Sequence, residues 1–239
     1  MYGKNGLNYS DFLNKKFDEI SYKDFSSAPH RYLRTQDFAR MLFYKEIYEK
    51  IIDIQGEIHL LGVANGSTLF ILAHLAEILE PLNITRRIVG FDLFGSSDQA
   101  YYPISSEDNE YYENNPKPFC SSFLTLKNQV ENFNKNTRIY PEERIILVKG
   151  EASKEYSKYC EKQYPIISSL FLHIELYEVE KIVMNLAKKF LSKNAIVCSS
   201  TLGFYKSKAV TKAVDECFNL SSISIKRSKY TSKMAYFNV

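Results

Sequence analysis

A glycine-containing turn follows one of the most apolar short runs of this sequence. Residues 58–63 are apolar apart from His59, the segment Ala64-Asn65-Gly66-Ser67-Thr68 comes next, and residues 69–79 are again strongly apolar. Glycine lets a backbone turn sharply and lets a ligand approach where a Cβ would block it. A helix that begins near Ser67 would offer free N–H groups and the positive end of its dipole, which suit a carboxylate. The pattern predicts a ligand cradle or, alternatively, a tight structural turn.

An acidic residue ends the next apolar segment, Ile88-Val89-Gly90-Phe91-Asp92. At the end of a second strand, Asp92 can accept two hydrogen bonds from a ribose diol, as in dinucleotide and adenosyl cofactor sites. The turn and the acid together do not choose between NAD and S-adenosylmethionine. The turn lacks the G-x-G-x-x-G spacing of a dinucleotide site, and two short closing strands also argue against one. S-adenosylmethionine is therefore the predicted cofactor.

The candidate catalytic residues, His173 and Glu175, follow another apolar run of the sequence. His173 is attractive as a base because a neutral imidazole near pH 7 can take a proton from a hydroxyl without a metal. Glu175 could orient an acceptor. The alternatives are a histidine hydrogen-bonded at the end of the sheet and a glutamate that caps the next helix. Cys198 lacks a recognisable activating partner and is interpreted as a buried thiol, and His59 and His74 are predicted to pack in the core.

These residues lie on alternating strand and helix patterns, which indicate βαβ units and a largely parallel sheet. The last two strands leave no room for a helix between them, so they should pair antiparallel. The predicted fold is α/β, doubly wound, with a mostly parallel seven-stranded sheet and an antiparallel C-terminal strand pair. Strands are predicted at residues 58–63, 87–92, 144–149, 167–175, 195–199, 222–226 and 234–237. Helices are predicted at residues 34–52, 69–79, 119–133, 152–161, 177–190 and 206–218.

Residues 31–218 resemble the macrocin O-methyltransferase family, S-adenosylmethionine-dependent and magnesium-assisted enzymes that methylate sugar hydroxyls of natural products. The segments that carry the resemblance are Gly56-Glu57-Ile58-His59-Leu60-Leu61-Gly62-Val63-Ala64-Asn65-Gly66-Ser67, Gly90-Phe91-Asp92-Leu93-Phe94, Val148-Lys149-Gly150-Glu151-Ala152, Leu172-His173-Ile174-Glu175-Leu176-Tyr177-Glu178 and Lys208-Ala209-Val210-Thr211-Lys212-Ala213-Val214-Asp215-Glu216. The resemblance implies a Rossmann-like class I methyltransferase. It also implies a cofactor-binding set: Gly62, Val63, Ala64, Gly66, Ser67 and Thr68 around the methionine part, Asp92 at the ribose with Leu93 beside it, and Gly150, Glu151 and Ala152 beside the adenine.

The sequence departs from this family where the family carries acids. Leu60 stands where the family has an acid in the first strand, which removes an expected anchor for the cofactor's ammonium group. His173 stands where a metal-binding Asp is expected, and Cys198-Ser199-Ser200 stands where a pair of Asp ligands is expected. Magnesium needs oxygen ligands, usually including carboxylates. No metal ligands are assigned, and the sequence predicts no magnesium site of the family's type.

Composition limits the remaining possibilities. Hydrophobic residues make up 45% and charged residues 25%, with a formal net charge of +3, values typical of a globular protein. No dense Lys/Arg stripe predicts a nucleic-acid partner, and no apolar stretch predicts a membrane span. Four scattered cysteines, together with a polar N-terminus that shows no signal peptide, predict a reduced, cytoplasmic protein.

Two regions are expected to surround the site. Residues 1–55 are predicted to form N-terminal cap or lid helices, and residues 56–239 a single methyltransferase domain. The tyrosine-rich stretch 95–118 would leave the carboxyl edge of the sheet, as a substrate lid or as a solvated loop. A cap helix such as the one predicted at residues 34–52 could also serve a homodimer.

The sequence thus predicts an S-adenosylmethionine-dependent methyltransferase that O-methylates a sugar or other small-metabolite hydroxyl without the family's magnesium site. The main alternative is a catalytically silent protein of the same fold that binds a cofactor or ligand. A nucleotide-sugar or dinucleotide enzyme is a third hypothesis, which requires the glycine turn to bind a pyrophosphate.

Overall fold

The computed structural model of the protein describes residues 21–95, 106–108, 122–205 and 208–239, without the side chains of Tyr22 and Asp24. Packing divides the chain into two compact units, with the division between Ala39 and Arg40. This division does not test whether residues 1–55 cover the site, so their role as a cap stays a prediction.

The first unit contains short helical segments. Helix α1 (Tyr22–Ser27) is followed by a 3₁₀ turn (Pro29–Tyr32) and by the start of α2 (Thr35–Ile51). From Arg40 onward, α2 belongs to the second unit. Proline in the first turn suits the fixed φ of a helix start. The rings of Phe25 and Tyr32 lie 5.8 Å apart. This ring contact joins α1 to the 3₁₀ turn.

The second unit is built around one seven-stranded sheet with the order β3-β2-β1-β4-β5-β7-β6. Strands β1 to β5 are parallel, and β7 is antiparallel to both β5 and β6. The strands are β1 (Glu57–Leu61), β2 (Ile88–Asp92), β3 (Ile145–Lys149), β4 (Ile167–Leu172), β5 (Leu191–Ser199), β6 (Lys226–Arg227) and β7 (Ala235–Asn238). This confirms the predicted α/β fold with its antiparallel C-terminal pair.

Helices cover both faces of the sheet. After α2 they are α3 (Ser67–Leu79), α4 (Phe123–Lys135), α5 (Ala152–Gln163), α6 (Tyr177–Ala187) and α7 (Ala209–Phe218). Neighbouring strand residues point to opposite faces. Leu60 accordingly packs in the core cluster that includes side chains of α2 and α3, whereas Leu61 packs with side chains of α5, α6 and α7. Each face of the sheet therefore has its own apolar core.

The strand order reverses between β1 and β4, which are neighbours in the sheet. Chain connections leave such a pair in opposite directions, and the crevice outside their carboxyl ends is the usual ligand site of open α/β sheets. Gly62 follows β1 and His173 follows β4, so the topology brings these two predicted site residues together.

Three predicted strands differ from the observed ones by three residues or more. The strand predicted at 195–199 begins four residues earlier, since β5 spans Leu191–Ser199. The strand predicted at 167–175 ends at Leu172, so His173 and Glu175 lie in the connection to α6. The strand predicted at 222–226 is mostly absent: Leu220–Ser222 is a 3₁₀ turn and β6 is only Lys226–Arg227. An apolar or alternating pattern does not report where pairing with a neighbour stops. Strand β6 pairs with only two residues of β7, Ala235 and Tyr236.

Most of the tyrosine-rich stretch 95–118 lies outside the described residues, so its predicted role as a lid is not tested. The turn at residues 106–108 is described, and Lys212 on α7 forms a salt bridge of 2.7 Å with Glu107. Within the part of the chain that is described, no helix has both the length and the apolar character needed to cross a membrane.

Candidate cofactor and active site

The turn after β1 contains three residues in the left-handed backbone region: Gly62 (φ +86°), Ala64 (φ +50°) and Gly66 (φ +83°). A Cβ on Gly62 would lie 2.8 Å from both the carbonyl carbon and the carbonyl oxygen of His173. Contacts this short with backbone atoms cannot be relieved by a side-chain rotation. Gly62 is therefore required by the close approach of the β1 and β4 exits.

Asp92 fixes the shape of this turn. Its Oδ2 accepts hydrogen bonds from the backbone N–H groups of Val63 (2.7 Å) and Ala64 (3.0 Å), and its Oδ1 accepts one from Phe94 (3.0 Å). Asp92 is 7% exposed. An ionised carboxylate has about four lone-pair sites, so these backbone donors leave acceptor capacity for about one more hydrogen bond. Sequence reasoning placed Asp92 at the site but missed its bonds to the turn.

The start of α3 is only partly capped by side chains. Its N-cap, Gly66, makes no side-chain capping bond, and Asn65 Oδ1 accepts the N–H of Ser67 at 3.1 Å. Thr68 is buried, and its hydroxyl donates to the Tyr44 hydroxyl at 2.9 Å. The helix spans 13 residues, long enough for its N-terminal dipole to favour negative charge.

The turn after β3 lies next to the β2 exit. Gly150 has φ +141°, and its N–H donates to the backbone oxygen of Asp92 at 3.0 Å. Glu151 is half-buried, and a hydrogen bond from Lys154 lowers the pKa of its carboxyl. Ala152 is fully buried at the start of α5, and Leu93 is half-buried beside Asp92. The structure thus brings the predicted cofactor-binding residues to one edge of the sheet.

His173 is half-buried, and its ring lies 6.3 Å from that of Tyr44 and 6.0 Å from that of Phe171. Burial lowers its pKa to about 3, and the positive charge of Arg40 lowers it further in the same direction. The atom Nε2 is buried and has no hydrogen-bond partner among the described residues. The alternative prediction, a histidine hydrogen-bonded at the end of the sheet, is therefore not supported for the Nε2 atom.

Glu175 has φ +66° and accepts a hydrogen bond from the hydroxyl of Ser200, which follows β5. Its backbone N–H donates to Oε1 of Glu180 at 2.6 Å. The N-cap of α6 is Leu176, without a side-chain capping bond. Instead, Oδ1 of Asp108 accepts the N–H of Tyr177 at 3.0 Å. Among the described contacts, it is Asp108 and not Glu175 that caps this helix.

Glu180 is a buried carboxyl that sequence reasoning missed. It is fully buried on α6, and its Oε2 has no hydrogen-bond partner in the described part of the chain. Burial raises its pKa to about 8, and the negative charges of Glu175 and Asp108 act in the same direction. An acid on an otherwise apolar helix face was the available signal, since Val179, Val183 and Met184 flank it in the sequence.

The donor set at the ends of β4 and β5 does not suit a hard cation. Glu175 is bonded to Ser200, Glu180 favours its protonated form, and Cys198 is a fully buried thiol whose pKa burial raises well above its usual value. Magnesium prefers ionised carboxylates and other oxygen ligands. Across the described ranges, no three His, Cys, Asp or Glu side chains are grouped so that they could hold a metal ion.

The two histidines that were predicted to pack in the core, His59 and His74, differ in burial. His59 is fully buried, and its ring nitrogens bond to the Tyr156 hydroxyl and to Glu57 Oε2, each at 2.9 Å. This confirms core packing for His59. His74 is exposed and lies beside the Phe133 ring at 5.0 Å, so its prediction as a core residue was wrong. Residue 74 lies on the solvent side of α3, which the apolar composition of that helix did not reveal.

Sequence reasoning also missed Arg40 and Tyr44. They lie one helical turn apart on α2, and both act on the surroundings of His173. The spacing of four residues was visible, but nothing in the sequence indicated that this helix face meets the ends of β1 and β4.

Comparison with known proteins identifies the fold. No protein-family model matches the sequence, and neither does any curated protein sequence. The calicheamicin methyltransferase CalS11 has a similar structure, with a TM-score of 0.87 and 21% identity, over 100% of this chain and 94% of CalS11. Apo CalS11, described as a TDP-rhamnose 3′-O-methyltransferase, gives a TM-score of 0.82 at 21% identity over 100% and 96% of the two chains. The O-methyltransferase NovP gives 0.61 at 15% identity over 84% and 79%. The chain therefore has the class I methyltransferase fold.

Proposed function

We propose that this chain, which has the class I methyltransferase fold, binds S-adenosylmethionine and transfers its methyl group to a hydroxyl of a sugar or another small metabolite. The observation that carries the proposal is the turn from Gly62 to Thr68, which lies at the reversal of strand order, is held by Asp92, and leads into a helix start without a side-chain cap. The O-methyltransferases with similar structures support hydroxyl acceptors, and one of them is described as acting on a TDP-sugar.

The predicted binding residues keep their roles in this proposal. The turn holds the methionine part, and the remaining acceptor capacity of Asp92 suits one ribose hydroxyl. The β3 turn, with Gly150 and Ala152, lies beside the adenine. When bound, the cofactor supplies an electrophilic sulfonium methyl group.

His173 is the proposed base, and Glu175 the proposed acceptor-orienting residue. Because its pKa is about 3, the imidazole is neutral at physiological pH and can accept a proton. A low pKa also makes it a weak base. Much of the rate enhancement must then come from positioning the acceptor in line with the methyl group. The donor set described above supports a reaction without magnesium.

A catalytically silent, cofactor-binding protein is the second candidate. Two observations favour it: Leu60 is fully buried in β1, where the resembling family has an acid, and burial weakens His173 as a base. Cofactor binding without turnover of any nucleotide-sugar or small hydroxylated acceptor would favour this candidate. The expected cytoplasmic location, the small-molecule acceptor without a nucleic-acid partner, and the possible homodimer stay predictions.

Calorimetric titration with S-adenosylhomocysteine, with and without magnesium, tests the proposal. We expect binding that magnesium does not change and that Asp92→Ala weakens, while the exposed Glu143→Ala serves as a folded control. A well-folded protein that fails to bind S-adenosylhomocysteine would refute the proposal. Competition by NAD in the same titration would favour the dinucleotide hypothesis instead.

A further inference from the structure

Arg40 is an exposed cation whose charge acts on His173. It lies on α2, one helical turn before Tyr44, and its side chain interacts with the Tyr44 hydroxyl. The other charged side chains of this helix form local pairs, such as Lys45 with Glu49 and Lys50 with Glu46. Within the described ranges, Arg40 forms no salt bridge with a carboxylate. Its charge is therefore available to an anion.

Tyr44 connects this cation to the start of α3. Tyr44 is fully buried, and its hydroxyl accepts the hydrogen bond from Thr68, the second residue of α3. Two buried hydroxyls bonded at 2.9 Å hold α2 and the first turn of α3 in a fixed relationship. Arg40 therefore lies one helical turn from a tyrosine that contacts the first turn of α3, whose N-terminal dipole also favours negative charge.

His173 completes the arrangement. The positive charge of Arg40 reaches its imidazole, and its buried Nε2 has no partner in the described part of the chain. A buried polar atom without a hydrogen bond costs free energy, which a bound ligand atom would recover. In the tautomer that carries the proton on Nε2, the ring donates to an anion without being charged, and the proton-accepting role of the proposed base then falls to Nδ1.

We infer that Arg40 binds the carboxylate of the cofactor's methionine moiety, with Tyr44 and Thr68 positioning it and His173 Nε2 beside it. The inference rests on the proposed function. A guanidinium fork matches a carboxylate in a bidentate arrangement. Leu60 is apolar and fully buried, so it offers no acid to the ammonium group, and a contact to the carboxylate becomes correspondingly more important for the amino-acid end of the cofactor.

Two ligands distinguish a contact between Arg40 and the cofactor carboxylate from a general effect of Arg40 on cofactor binding. S-adenosylhomocysteine carries the carboxylate, and its decarboxylated analogue retains the amine, the thioether and the nucleoside. We expect Arg40→Ala to weaken S-adenosylhomocysteine binding about 10- to 100-fold, the range of a charge-assisted pair. The same substitution should change binding of the decarboxylated analogue by less than about twofold. Arg40→Lys should restore part of the affinity, because it keeps the charge but not the fork.

Arg138→Ala is the matched control, since Arg138 is exposed and lies between α4 and β3, before the start of a parallel strand and hence at the edge of the sheet opposite the turn after β1. Thermal melting checks that each variant is folded. Equal losses for both ligands, or no loss for S-adenosylhomocysteine, would overturn the inference while the proposed function stands. Loss only of affinity for an anionic acceptor would assign Arg40 to the acceptor and would also overturn it. A wild-type protein that binds neither ligand would refute both proposals.

Discussion

The backbone N–H of Val63 donates a hydrogen bond of 2.7 Å to Oδ2 of Asp92, across the gap between the ends of β1 and β2. The neighbouring N–H of Ala64 reaches the same oxygen at 3.0 Å. A residue predicted to serve the ribose therefore also shapes the turn predicted to serve the methionine part. Cofactor affinity and local stability are coupled through this one carboxylate.

Asp92→Ala should destabilise the protein and weaken cofactor binding together. The substitution leaves three backbone donors without their acceptor in a nearly buried site. We expect a loss of about 3 kcal/mol in the free energy of unfolding, measured by urea denaturation. Asp92→Asn keeps one acceptor oxygen and should lose less. Equal stability of Asp92→Ala and wild type would contradict the described role.

Gly62→Ala should cost more stability than Gly203→Ala. Both glycines have similar positive φ values, +86° and +78°, but only Gly62 has backbone atoms where a Cβ would lie; Gly203 has nothing within 4 Å. The left-handed conformation alone costs roughly 1–2 kcal/mol for a non-glycine residue, which Gly203→Ala should show. The loss of stability in Gly62→Ala should be larger than that in Gly203→Ala, and Gly62→Ala should also reduce the affinity for S-adenosylhomocysteine. Similar losses in the two variants would refute the close approach to His173.

Glu180→Gln should change the pH dependence of stability. The folded-state pKa of about 8 lies above the ordinary value of 4.5. Between these values the folded protein binds more protons than the unfolded chain, so wild-type stability falls as pH rises from about 4.5 to about 8. The advantage of Glu180→Gln over wild type should grow across this window, by up to a few kcal/mol.

Urea denaturation at several pH values from 5 to 9 measures the effect of Glu180→Gln, with the exposed Glu143→Gln as the matched control. Glutamine keeps the oxygen that accepts the N–H of Glu175, so the hydrogen bond at 2.6 Å is retained. Parallel stability curves for wild type and Glu180→Gln would contradict the raised pKa.

The His173 imidazole should show no titration between pH 5 and 8. Burial lowers its pKa to about 3, with a further contribution from Arg40. Two-dimensional NMR of the histidine rings should give constant shifts for His173 over this range. Arg40→Ala removes the repulsion, so the pKa should rise while staying below 6.5, because burial is unchanged. A midpoint near 6.5 in the wild type would show that the ring is solvated.

Arg86→Ala should be strongly destabilising, although Arg86 lies outside the candidate site. Its buried guanidinium donates to Gly56 O at 2.8 Å and to Ser168 Oγ at 2.5 Å, and it forms a salt bridge of 2.8 Å with Glu80. Removing one partner of a buried ion pair costs about 3–5 kcal/mol. Arg138→Ala, at an exposed position, is the control for thermal denaturation. A loss below that of the control variant would refute this role.

The sequence was sufficient to predict the alternation of strands and helices, the antiparallel end of the sheet, and the glycine turn with Asp92 after the next strand. These features depend on local periodicity and on the conformational freedom of glycine, which a single sequence records directly. Strand ends were less predictable: β4 ends at Leu172, because pairing with β1 and β5 stops there while the chain continues apolar into Ile174.

Only the tertiary structure decided how distant residues act on each other. It placed the carbonyl of His173 against Gly62, the carboxylate of Asp92 under the turn, and the Tyr44 hydroxyl against Thr68 at the start of α3. It also brought the charge of Arg40 within reach of His173. It also buried Glu180 and left its Oε2 without a partner among the described residues. The sequence by itself determined which residues were available for chemistry. Their proximity, burial and pKa shifts arise from long-range packing, which no local pattern encodes.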